Sequence, residues 1–390
     1  MTNLFISFIK VSTFSGQTAS TELIKKVLSD GDYSFQPIYL YPFKRTQKNV
    51  FLSILDWIFK TISVTPSVVK LLFSKKPILY INLGQGYFSF FRVLWWYLPI
   101  RLLRWNLPVI FSLHGHSFVK WDIQSPKTIL FKRILNSAKI ITVLGDSQAA
   151  CLVKFGVIRD KIKFIPNTID SEFIPLEQIL KKQKLTNTPL QVLFLSLLVE
   201  SKGYPEYLEA LYHIAKTQPQ LKINAILCGP ITKTAFCTRF AFVEDAKHWI
   251  EDMVAKINAV PDSQITVKWI NGARGKEKQA LYDVAQVFVL PTSYPNEAQP
   301  LVLLEAMAAG CALITTGVGE IPSTVSQNEA IILNPINAYT IADAIVSYAI
   351  DEQKRIDKVV SGWNLVNDKF SLKLYKKNWS QLFQSCYERD

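Results

Sequence analysis

The chain has 390 residues, 49% of them hydrophobic and 19% charged, with 19 prolines and 15 glycines. It is too long for a single core and too apolar for a disordered or fibrous chain, so two globular domains are expected. The net charge of +13 is lopsided: residues 1–175 hold 22 Lys and Arg against 9 Asp and Glu, and residues 176–390 hold 22 of each.

The opening "MTNLFISFIKVSTFSG" has no basic leader, and Lys10 interrupts its apolar run, so it reads as a first β-strand rather than a signal peptide. "DGD" at 30–32 follows a helical run and reads as a turn rather than a metal-binding carboxylate pair. Two aromatic and basic stretches follow, "FLSILDWIFKTISVTPSVVKLLFSKK" (51–76) and "YFSFFRVLWWYLPIRLLRW" (87–105). With Arg92, Arg101 and Arg104 among Phe, Trp and Tyr, the second suits an anionic membrane interface. The same pattern also describes core helices whose arginines snorkel to solvent. No run of 18 or more residues is uniformly apolar and free of charge, so a spanning helix is not expected.

Short β-branched runs then alternate with helical patterns: "LFISFI", "ILYINL", "PVIFSLHG", "KIITVL" and "KIKFIPN" in the first half. "LQVLFLSLL", "LKINAILCGP", "ITVKWING", "VFVLPTS", "CALITT" and "AIILN" occupy the second. Continuous apolar runs of this kind indicate parallel strands covered on both faces, in βαβ units. The pattern restarts after "DSEFIPLEQILKKQKLTNTPL" (170–190), a polar, lysine-rich stretch that reads as a linker. The expected fold is therefore α/β, two doubly wound Rossmann-like domains facing a cleft: 1–175 and 186–372, with a helix at 373–390 returning to the first. No G-x-G-x-x-G fingerprint is present, which disfavours an ordinary dinucleotide fold. The five cysteines, Cys151, Cys228, Cys237, Cys311 and Cys386, form no C-x-x-C pair and read as reduced thiols without a metal.

The densest chemistry lies in "VFVLPTSYPNEAQPLVLLEAMAAGCALITT" (287–316), read as strand, loop, helix, strand. Pro300 suits the first turn of a helix and Gly310 its end. The free N–H groups of Leu301 and Val302 then form an anion site suited to a diphosphate. Glu305, one turn deeper on the same face, is placed to accept from the paired hydroxyls of a ribose, and Glu297 from those of an attached sugar. The plainer alternative makes Glu297 a solvated loop charge and Glu305 a helix surface residue. The apolar flanks of Glu305 weigh against it, because a charge there needs a partner.

This stretch resembles the E-x7-E motif of the retaining GT-B glycosyltransferases, the group 1 glycosyl transferase family. The likeness continues through "GVGEIPSTV" and, more weakly, through "FLSLLVESKGYPEYLEAL", "KIKFIPNTID", "VIFSLHGHSF" and "STFSGQTAS". The resemblance implies a GT-B fold and a metal-independent, retaining transfer from a UDP- or GDP-sugar to a glycan or lipid-linked acceptor. It implies that Lys202 neutralises the leaving diphosphate, that His114 and Glu297 position the sugar, and that Gly16 lets backbone approach the substrate. Asn167 would tie the hinge. The family often has an arginine where this chain has Leu197, and Arg274 is the candidate substitute. The setting implied is bacterial surface polysaccharide synthesis, by a cytoplasmic enzyme peripheral on the inner face of the cell membrane, with no cofactor and no nucleic-acid partner. A sugar-nucleotide epimerase of the same fold and a non-catalytic nucleotide-sugar-binding protein stay open beside it, as does a nucleic-acid binder, which would explain the charge alone and leave the glutamate motif unexplained.

Overall fold

The computed structural model describes residues 2–9, 21–26, 33–40, 58, 62, 64–85, 87–170, 174–184 and 188–386. Gly16 and the "DGD" turn lie outside them. The chain forms two compact units, residues 1–167 with 372–390, and residues 168–371. Each is built on a six-stranded parallel sheet.

In the first unit the strands are β1 (Thr2–Ile9), β2 (Tyr33–Leu40), β3 (Pro77–Asn82), β4 (Val109–Ser112), β5 (Ile140–Val143) and β6 (Ile162–Phe164). Their order is β2-β1-β3-β4-β5-β6. β3, β4 and β5 are buried along their whole length, as expected of strands covered by helices on both faces. β2 is the strand that the periodicity missed: "YSFQPIYL" has no continuous apolar run and carries Pro37. Proline is tolerated there because β2 is an edge strand. The C-terminal helix Leu372–Ser385 packs Tyr375, Trp379, Leu382 and Phe383 against Leu4, Ile6 and Tyr80, which places it in the first unit.

The second unit contains β7 (Leu190–Leu195), β8 (Ile223–Cys228), β9 (Ile265–Ile270), β10 (Val287–Val289), β11 (Ala312–Thr316) and β12 (Ala330–Leu333). Read from its far edge, the order is β9-β8-β7-β10-β11-β12, so the direction of winding reverses between β7 and β10. β7 and β10 pair as parallel neighbours, so the loops that leave their carboxyl ends start side by side.

The boundary between the units falls at Asn167 and Thr168, earlier than the polar composition of 170–190 suggests. That stretch is not a linker: it holds a helix, Leu176–Gln183, docked on the second unit. Ile179 is fully buried in that core, close enough to Gly310 that a Cβ there would sit 2.4 Å from its side chain. The Gln183 side chain donates to the carbonyls of Gln286 and Gly310, and Lys182 donates to Ala309 and Tyr282. Upstream, Thr168 donates to the Phe370 carbonyl, and the Trp363 indole donates to Ile174. The lysines conceal an amphipathic face whose few apolar positions carry the docking.

Two arginines of the aromatic stretch also differ from the lipid-facing role expected of them. Arg104 donates to the carbonyls of Leu71, Leu72 and Ser74 at 2.8–3.1 Å, capping the C-terminal end of helix Thr65–Phe73. Arg101 donates to Leu107 and Ser137. Both guanidinium groups satisfy helix-end and loop carbonyls, where a cation is favourable. Replacing Arg104 by Ala should therefore destabilise the first unit by about 2 kcal/mol. Denaturant titration checks this, and an unchanged midpoint would show the capping to be idle.

Candidate functional site

The turns after β7 and β10 bring together residues 95 positions apart in the chain. After β7 the chain makes a short 3-10 turn, Glu200–Lys202, closed by Gly203 at φ 84°. A Cβ on Gly203 would lie 2.4 Å from the Pro291 carbonyl oxygen, so only glycine allows the two loops to approach this closely. Lys202 is thereby aimed at the loop beyond β10. Its ammonium lies 3.2 Å from Glu297 Oε2, with the two side chains only 16% and 8% exposed. Thr292 Oγ1 donates to the same carboxylate oxygen, and the Tyr294 ring stands 5.6 Å from the ammonium. Glu297 is thus no solvated loop charge. Gly319 (φ 64°) lies so close beneath it that a Cβ would overlap the Glu297 carbonyl, and Glu320 N donates to Ala298 O.

Helix Leu301–Ala308 begins directly beyond this loop. Pro300 is its N-cap, with ψ 118°, rather than a residue of the first turn. The amides of Leu301 and Val302 have no acceptor within the helix, as at any helix start. Within the helix only Leu301, Val302 and Glu305 are not fully buried, so these three share the open face. At the other end Gly310 takes φ 70°, with Gly310 N donating to Met307 and Cys311 N to Ala306, a Schellman closure.

Glu305 has the partners its apolar flanks require. Lys278 Nζ lies 2.6 Å from Oε1, and Tyr282 Oη donates to Oε2 at 3.0 Å. Burial first, and then the Glu305 charge, push the Tyr282 phenol well above its ordinary pKa, so it remains a donor. Lys278 and Tyr282 escaped the sequence reading. Their signal was an i, i+4 spacing on helix Gly275–Val284, visible only once that helix is known to lie beside Glu305. Arg274, at the start of the same helix, is exposed, and so is Leu197.

In the first unit, His114 follows β4. Thr142 Oγ1 donates to Ser112 Oγ at 2.8 Å, and His114 Nε2 lies 3.0 Å from that same Ser112 hydroxyl and 3.5 Å from Tyr80 Oη. Nδ1 makes no well-formed hydrogen bond, although Asn167 is near enough to act on the ring's charge. Burial lowers the imidazole pKa to about 4, with Asn167 opposing it in part, so the ring is neutral at pH 7. His116, also buried, lies two residues on. The site residues therefore fall into two groups: Lys202, Glu297 and the Leu301 helix start with Glu305 in the second unit, and His114 with Ser112 in the first. Among the described residues no cluster of His, Cys, Asp and Glu is arranged to hold a metal ion.

Residues 177–358 match the family described as Glycosyl transferases group 1, and residues 84–173 match Glycosyltransferase Family 4. A putative colanic acid biosynthesis glycosyltransferase of Escherichia coli is 22% identical over 293 residues, covering 73% of this chain and 66% of the relative. D-inositol 3-phosphate glycosyltransferase of Corynebacterium glutamicum is 21% identical over 268 residues, 65% of this chain and 60% of the relative. The chain thus spans about two thirds or less of the length of these curated relatives. Among solved structures, sucrose-phosphate synthase of Thermosynechococcus elongatus superposes with a TM-score of 0.72 at 17% identity, covering 99% of both chains. Anabaena HepE in complex with UDP and glucose superposes with a TM-score of 0.67 at 13% identity, covering 99% of this chain and 100% of that one. These likenesses identify the fold as GT-B.

Two consequences of the geometry are measurable. Removing either member of the buried Lys202–Glu297 pair leaves the other charge desolvated, so a double-mutant cycle of Lys202→Met and Glu297→Gln should give a stability coupling of about 1–3 kcal/mol. Additive effects would mean that the pair is not formed in solution. The His114 pKa lies below its unfolded value, so the neutral ring's contribution is complete above about pH 6.5 and is lost as the pH falls towards 4. Between pH 7 and pH 4.5 the wild type should lose about 2 kcal/mol more than His114→Gln in urea unfolding. Equal losses would show that His114 titrates normally.

Proposed function

We propose, for a chain that belongs to the group 1 glycosyl transferases, that it transfers a sugar with retention from a nucleotide-diphosphate donor to a hydroxyl of a glycan or lipid-linked acceptor. The observation that carries this reading is the buried Lys202–Glu297 pair in the loops beyond the carboxyl ends of β7 and β10, beside the helix start at Leu301. The loop after β7 supplies a cation, and the loop after β10 supplies a carboxylate and the free amides of the helix start, a combination that suits a sugar joined to a diphosphate.

In this proposal the diphosphate lies against the amides of Leu301 and Val302, with Lys202 neutralising the charge that grows as it leaves. Lys202 is held by Glu297 before substrate arrives, so binding exchanges one anionic partner for another without moving a charge out of water. Glu297 then accepts from sugar hydroxyls. Glu305, steadied by Lys278 and Tyr282, keeps free lone pairs for the ribose. The neutral imidazole of His114 positions the sugar. Gly16 keeps the role of a glycine that lets backbone approach the ligand. The acceptor hydroxyl attacks the face that the diphosphate leaves, and a phosphate oxygen takes its proton, so no separate general base is assigned. Leu197 supplies no cation, and exposed Arg274 is the substitute assigned to the diphosphate. Neither a metal nor a cofactor has a part in the scheme, since the nucleotide-sugar is itself the substrate. The relatives named for colanic acid biosynthesis, together with the basic first unit, support surface polysaccharide synthesis at the inner face of a cell membrane.

A thermal-shift screen with UDP-, GDP- and ADP-sugars tests the reading. One of them should stabilise the protein, by about 2.7 kcal/mol at a hundredfold excess over Kd, and release nucleotide when acceptor is added. Glu297→Gln should lower that turnover at least about a hundredfold. Stabilisation with no turnover would leave only a binding protein, change of the donor's sugar into its epimer with no acceptor present would make it an epimerase, and no response to any donor would refute the proposal.

A further inference from the structure

Helix Tyr87–Leu103 is apolar on two opposite sides. Phe90, Val93, Leu94, Trp96, Tyr97 and Ile100 are buried in the core of the first unit. The helix presents a second stripe outward: Phe91, Trp95, Leu98 and Leu102 recur at intervals of four, three and four, the spacing of a single helical face. Leu102 is 84% exposed and Trp95 64%. The stripe does not end with the helix, for Trp105 is 73% exposed and Phe73, on helix Thr65–Phe73, is 86% exposed. The Arg104 clamp on Leu71, Leu72 and Ser74 holds those two helix ends side by side, so Phe73 borders the same patch.

The charge around this stripe has one sign. From Trp57 to Trp121 the chain runs 65 residues with no Asp or Glu and 8 Lys or Arg. Arg101 and Arg104 are spent on backbone carbonyls, but Lys70, Lys75 and Lys76, next to Phe73, are exposed. The first unit carries 26 Lys and Arg against 9 Asp and Glu, a net of +17, and the second 18 against 22. An apolar stripe bordered by tryptophan and lysine, in a region without acids, is complementary to an anionic bilayer: rings and leucines enter the headgroup boundary while ammonium groups meet lipid phosphates. No described helix is long and apolar enough to cross the membrane, so the contact lies in the plane of the interface.

We propose that the outer face of helix Tyr87–Leu103, with Phe73 and Trp105, is the surface by which this protein lies on an anionic membrane. This deepens the membrane-side reading above and rests on it. It also moves the determinant from Arg101 and Arg104, which brace the fold, to the exposed leucine, phenylalanine and tryptophan side chains.

Sedimentation of the full chain with phosphatidylglycerol vesicles, beside phosphatidylcholine vesicles, tests it. The wild type should pellet with the anionic vesicles and be released by high salt. Leu102→Ser combined with Trp105→Ser should lower partitioning about tenfold while nucleotide-sugar hydrolysis in solution is unchanged. Quenching by brominated lipid supplies a second readout: fluorescence of the wild type should fall on binding, and Trp105→Phe should lose part of that fall. A wild type that stays in the supernatant overturns the membrane reading and this surface together. A double variant that pellets as well as the wild type overturns this surface alone. A wild type that dimerises without vesicles, through a contact the double variant abolishes, assigns the face to a second copy and overturns the proposal.

Discussion

The Lys202–Glu297 pair is the constraint around which the second unit is arranged. Two opposite charges taken largely out of water gain little net stability from each other, because desolvation offsets most of their attraction. Such a pair persists only where the backbone leaves neither group an alternative. Here β7 and β10 are neighbours in the sheet, so the two loops that carry the charges leave it side by side. Gly203, against the Pro291 carbonyl, and Gly319, against the Glu297 carbonyl, set the separation. A side chain at either position would displace the loop that carries a charge. The geometry is thus enforced by backbone contacts rather than by the attraction of the pair itself.

Glu305 is built differently. It sits on the open face of an otherwise buried helix, and its charge is balanced from outside that helix by Lys278 and Tyr282. A carboxylate held by one ammonium and one phenol has a fixed orientation and spare lone pairs. The first unit follows a third pattern: His114 is kept neutral by burial, and its Nε2 is held among the Ser112 and Tyr80 hydroxyls. Each polar group is positioned at the carboxyl end of a parallel strand or at the helix that follows it, the place where such sheets expose backbone to ligands.

The basic residues of the first unit show why residue type alone is a poor guide to role. Arg101 and Arg104 lie in the same aromatic stretch as Trp95 and Trp105, yet the arginines turn inward to cap carbonyls while the tryptophans stay exposed. A guanidinium with five donors is suited to collecting several carbonyls, and Arg104 collects three. Lysine, with a flexible stem and a compact charge, is left for the surface, as Lys75 and Lys76 are.

Periodicity and composition were enough to find the core strands, because a parallel strand buried on both faces must be a continuous apolar run. They also located the glutamate-bearing loop, the helix start at Leu301 and the glycine end at Gly310, since each depends on the chemistry of neighbours in the chain. Edge strand β2 was hidden by Pro37, which is disqualifying inside a sheet and harmless at its rim. The helix Leu176–Gln183 was hidden by lysines, because docking needs only Ile179 and Gln183 to face inward. The Lys202–Glu297 pair, the support that Lys278 and Tyr282 give Glu305, and the inward turn of Arg101 and Arg104 were decided by tertiary structure. These contacts join residues far apart in sequence, and which of them meet depends on strand order and crossover, which local spacing does not encode.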